Sequence, residues 1–144
     1  MTPREALQAT LAGEHAAVYL YGVMGGQVSR SQQPGLADLV AHSYDTHRTR
    51  RDRLTVLVSN AGGVPVASAA AYRLPNDLAT PADVRTAARQ VEARCVVLYG
   101  QLVANSTGAT RAWAISALEA AAVEQLGYGA TPSHFPGMQG PIQG

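Results

Sequence analysis

The chain has 144 residues, 47% apolar but only 6% aromatic, with eleven basic residues against ten acidic for a net charge of +1. That length suits one domain with a sizeable core and is short for two. Near-neutral charge argues against nucleic acid or an anionic membrane as partner. No run approaches the roughly 18 apolar residues of a membrane span, so a soluble, cytoplasmic protein is expected.

Thr2-Pro3-Arg4-Glu5 reads as a helix start, with a capping threonine, proline at the first helical position and a glutamate that completes a capping box. Leu7, Leu11, Glu14, Val18, Tyr21 and Gly25 then recur at spacings of three and four, the stripe one helix shows to its bundle partners. The first helix is expected over about residues 2–29, with Glu14 in the middle of that stripe.

After a polar, turn-forming link from Ser31 to Gly35, a second helix is expected over about 36–61. Val40, Tyr44, His47, Arg51, Leu54 and Val58 share its inward stripe, and Gly62-Gly63 ends it. Tyr44 to Leu54 reads YDTHRTRRDRL, a charge density that belongs on a solvated face unless the interior needs it. Residues 64–79 lose the periodicity. Pro65 and Pro75 hold their predecessors out of helix, and the length suits a crossover along a bundle rather than a tight turn.

Thr80-Pro81-Ala82-Asp83 repeats the Thr-Pro start, and the third helix is expected over 80–104. Val84, Ala88, Val91, Cys95, Leu98 and Leu102 form its face, with Glu92 at the border. Asn105 to Gly108 breaks it. The fourth helix is expected over 109–125, facing inward with Ala112, Ile115, Leu118, Ala122 and Leu126, and with Glu119 beside them. The Gly- and Pro-rich tail, 127–144, is expected to dock as an irregular strap through Tyr128, Phe135 and Met138. Cys95 is the only cysteine, which rules out an intramolecular disulfide or a multi-Cys zinc cluster; its apolar neighbours point to a buried, inert thiol.

The fold class expected is an all-α four-helix bundle, one domain over 1–144, with a long crossover between helices 2 and 3. Several stretches carry a resemblance: EHAAVYLYG from Glu14 to Gly22, HRTRRDRL from His47 to Leu54, PVASAAAYRLP from Pro65 to Pro75, Glu92 with Tyr99, and FPGM from Phe135 to Met138. Together they resemble an uncharacterised bacterial ferritin-like domain family over nearly the whole chain. That resemblance implies a ferritin-like bundle and no particular activity.

Ferritin-like di-iron sites draw a glutamate from each of two helices and Glu-x-x-His from each of the other two. Glu14 matches the lone glutamate of the first helix, and Glu92 that of the third. His47 needs a carboxylate at the position held by Tyr44, and Glu119 needs a histidine at the position held by Ala122. Both pairs are broken, so no standard di-iron centre is expected.

Three readings remain. The first is a buried polar centre of Glu14, His47, Arg51 and Glu92, each charge paired, in a bundle with a structural, binding or oligomeric role and no cofactor. The second is a mononuclear iron or manganese protein or oxidoreductase, with Glu14, His47, Glu92 and Glu119 as candidate ligands. The third is a module for a small acid or anion, using the helix-2 arginines Arg48, Arg50 or Arg51. A homodimer is also expected, through small-residue positions such as Gly22, Gly25 and Gly26.

Overall fold

The computed structural model describes residues 1–137. Four helices follow one another: α1 (Pro3–Gln27), α2 (Pro34–Asn60), α3 (Pro81–Ala104) and α4 (Gly108–Gly127). Both Thr-Pro starts form as read. Thr2 and Thr80 accept from the backbone N–H of Glu5 and Asp83, whose carboxylates accept in return from the backbone N–H of Thr2 and Thr80. The second helix starts two residues before the expected Leu36, because Pro34 takes the first helical position, where its missing N–H goes unused. At its far end Gly62 adopts φ +74, and the Gly63 N–H donates to the Val58 carbonyl 3.0 Å away.

The helices pair as α1 with α2 and α3 with α4, while α1 also packs on α3. Cross-helix contacts give the directions. Glu14 meets Tyr99 and Tyr21 meets Glu92, so α1 and α3 run antiparallel. His47 meets Glu92 while Arg50 lies over Tyr99, so α2 and α3 run parallel. The segment over residues 61–80 makes that possible by returning the chain along α1. Its course is held there by Gln8, which bonds the backbone of Val64 and Val66, by His15 at 2.9 Å from the Val66 carbonyl, and by Tyr19 against Tyr72.

Fully buried Leu11, Leu20, Met24, Leu54, Val58, Val84 and Leu102 fill the space between the helices, each side chain contributing about 1.5–3 kcal/mol. The fourth helix is turned from its expected face. Its buried residues are Ala114, Ala117 and Ala121, while Ile115 and Leu126 are exposed and Ala112 lies outside. A row of alanines lets α4 lie close against α3, and that backbone approach outweighs burial of the two larger side chains. Tyr128 caps α4 from a fully buried position. Phe135 is 53% exposed, so it is a weaker anchor than expected, and Met138 lies outside the described residues. Gly22 and Gly25 front Tyr44 and Val40 of the chain's own α2, which leaves Gly26 alone of the three facing open space.

Among the described residues, no helix is long and apolar enough to cross a membrane.

Candidate functional site

Halfway along the bundle, α1 contributes Glu14 and Tyr21, α2 contributes His47 and Arg50, and α3 contributes Glu92, Cys95 and Tyr99. All are buried, and Glu14, His47 and Glu92 almost completely so. Each helix delivers its residues one or two turns apart, on a single face.

His47 lies between two carboxylates. Its Nδ1 is 2.5 Å from Glu14 Oε2, and its Nε2 is 2.8 Å from Glu92 Oε1. Each carboxylate also accepts from a tyrosine: Tyr99 donates to Glu14 Oε1 and Tyr21 to Glu92 Oε1, both at 2.6 Å. Ionised carboxylates only accept, so both ring nitrogens carry hydrogen when both glutamates are charged. Burial alone disfavours the imidazolium. The charge and hydrogen bond of Glu14, then those of Glu92, reverse this and hold the His47 pKa at about 10. Burial first, and the adjacent carboxylates second, push both tyrosine hydroxyls well above their ordinary range, so they stay neutral donors.

Two carboxylates and one imidazolium leave one negative charge. Arg50 supplies its counterpart, with its guanidinium carbon 5.7 Å from the centroid of the Tyr99 ring. This corrects the arginine expected there. Arg51 is partly exposed and pairs with neighbouring Asp52 at 2.7 Å. Positions 50 and 51 flank His47 at about −60° and +40° around the helix axis, so periodicity does not choose between them. The ring of Tyr99 on α3 does.

A second relay adjoins the first. Ser43 donates to Glu124 Oε1 at 2.7 Å and lies 2.8 Å from the Tyr128 hydroxyl. Having spent its hydrogen on Glu124, Ser43 accepts from Tyr128. The Tyr128 ring in turn packs 6.2 Å from that of Tyr21. Burial raises the Tyr128 pKa.

The expected ligand set divides. Glu119 is exposed on α4, remote from the centre because that helix turns its alanines inward. Glu92 approaches the opposite ring nitrogen from Glu14, so one ion bound through a single nitrogen of His47 cannot take both carboxylates. Instead, one ligand atom each from Glu14, His47 and Cys95 lie within 4.8 Å of one another. Cys95 is buried as expected, and its place one turn after Glu92, on the face that carries Tyr99, is the sequence signal for its approach to Glu14 and His47. Ser43 and Glu124 had no comparable signal, since their meeting depends on how α2 and α4 are offset.

The helix-2 arginines form no common pocket. Arg48 and Arg53 are exposed over Tyr44 and Trp113, and only Arg50 turns inward. Five cavities of 450 to 650 Å³ among the described residues are lined by residues other than Glu14, His47, Glu92 and Arg50. One of them, about 470 Å³ between α1 and α2, reaches Tyr21.

Residues 6–140 match the family model described as a domain of unknown function, DUF4439. No curated protein matches the chain. Among solved structures, the chain is similar to a conserved hypothetical protein from Mycobacterium tuberculosis. The two share 31% identity over 88% of this chain and 93% of that one, with a TM-score of 0.81.

Proposed function

This chain belongs to the DUF4439 family, and on that footing we propose that it is a ferritin-like bundle without a dinuclear iron centre. The buried charged cluster ties α1, α2 and α3 together for a structural, binding or oligomeric role. The observation that carries this reading is that both nitrogens of His47 are engaged by carboxylates, where a di-iron bundle directs carboxylate and imidazole at a metal pair. Tyr44 and Ala122, at the positions of the missing ligands, point the same way. The crossover and the two helical hairpins support the ferritin-like assignment. Metal analysis of protein from iron-replete cells, purified without chelators, tests it. Fewer than two irons per chain are expected; two irons, lost together on Glu14→Ala, would overturn the reading.

A second reading, a mononuclear metal protein, is favoured by one observation: the approach of Glu14, His47 and Cys95 to within 4.8 Å. It differs from an iron or manganese set built on Glu92, because Glu92 lies behind the imidazole.

A further inference from the structure

We propose that Glu14, His47 and Cys95 form a site for one thiophilic divalent cation of the zinc class, with Glu92 as the positioning residue that orients the imidazole from behind. The inference rests on the absence of a dinuclear centre and specifies which ion and which side chains the same cluster uses.

Geometry comes first. The three donors stand within 4.8 Å of one another on three different helices, all buried. Around a tetrahedral ion with nitrogen and oxygen at about 2.0–2.1 Å and sulfur at about 2.3 Å, neighbouring donors stand roughly 3.3–3.6 Å apart. Nδ1 and Glu14 Oε2, 2.5 Å apart across their hydrogen bond, therefore have to part by about an ångström to admit an ion. Tyr99 occupies Oε1 of Glu14, which leaves Oε2 as the single oxygen facing Nδ1. At the far nitrogen, Nε2–H donates to Glu92, the arrangement that fixes tautomer and ring orientation in metal-bound histidines.

The donor set selects the ion, with one carboxylate oxygen, one imidazole nitrogen and one sulfur on three helices. Sulfur and imidazole together favour zinc, cobalt or ferrous ion over manganese or magnesium, which prefer oxygen. Glu92 Oε1 accepts from both Nε2–H of the ring and the Tyr21 hydroxyl, so two donors fix that carboxylate behind the imidazole. A cavity between α1 and α2 reaches Tyr21, whose ring stacks on His47.

Cobalt(II) is the probe. The full chain is stripped with a chelator and titrated with Co²⁺, once folded and once while refolding from denaturant, so that slow entry does not hide binding. The expected result is one Co²⁺ per chain with a thiolate-to-cobalt charge-transfer band, displaced by one equivalent of Zn²⁺, and a Zn²⁺-dependent rise in melting temperature. Cys95→Ala, verified folded by circular dichroism, is expected to lose the band. Glu92→Gln is expected to keep the band and weaken Zn²⁺ about 10- to 100-fold. No binding by folded protein under either protocol, or binding with no thiolate band, overturns the inference and leaves the proposed function standing. Two ions per chain would overturn the proposed function itself.

Discussion

The ring of Tyr21 lies nearly parallel to that of His47, with centroids 5.2 Å apart and planes at 17°, so one residue both covers the imidazole and donates to its partner Glu92. Packing and hydrogen bonding at the centre are thus carried by the same side chain. Tyr21→Phe keeps the stack and removes a hydrogen bond to a charged acceptor. The expected cost is about 1.5–3 kcal/mol, read from urea unfolding, with a similar loss for Tyr99→Phe at Glu14. Losses below about 0.5 kcal/mol would show that the hydroxyls do not hold these carboxylates.

Stability should depend on pH through His47. Its folded pKa of about 10 lies above the ordinary 6.5, so the folded state binds more protons between those values. The contribution is fully present below about pH 6.5 and is lost as pH rises toward 10, with a slope of up to about 1.4 kcal/mol per pH unit. Denaturant melts of metal-free protein from pH 6 to 9 are expected to show that decline. His47→Gln is expected to flatten it, and an unchanged slope in that variant would place the titration elsewhere.

Arg50 and Arg51 are neighbours with unequal roles. Arg50→Ala removes a buried cation over Tyr99 and is expected to destabilise by about 1–3 kcal/mol. Arg51→Ala, which breaks only a surface pair with Asp52, is expected to stay within about 0.5 kcal/mol. Equal effects in thermal melts would contradict the difference in burial.

Cys95 is buried, and burial raises its thiol pKa well above the ordinary value. In metal-free protein a disulfide exchange reagent is expected to label it only as the chain unfolds, at a rate that follows denaturant concentration. Labelling of native protein as fast as free cysteine would mean that the thiol is accessible.

Much of the architecture was readable in advance, because it rests on local chemistry. The two Thr-Pro capping boxes and Gly62 mark helix ends wherever the helices finally pack. The short links between α1 and α2 and between α3 and α4 leave a hairpin as the economical arrangement, and residues 61–80 are long enough to reverse the usual direction between α2 and α3. Glu14 and His47 read as inward because apolar residues surround them on their stripes. The fourth helix departs from its pattern in part: Leu118 and Ala122 pack against the core as expected, Ile115 and Leu126 are exposed, and Ala114, Ala117 and Ala121 are the buried residues.

Sequence alone determined that four amphipathic helices would form and that a carboxylate and an imidazole would be carried on inward stripes. Tertiary structure alone decided that Arg50 rather than Arg51 turns in, that Glu92 takes the nitrogen opposite Glu14, and that Cys95 joins them while Glu119 stays at the surface. Each of these depends on how far one helix is rotated and shifted against another. A rotation of one residue, about 100°, exchanges a buried position for an exposed one, and no periodicity within a single helix sets that angle.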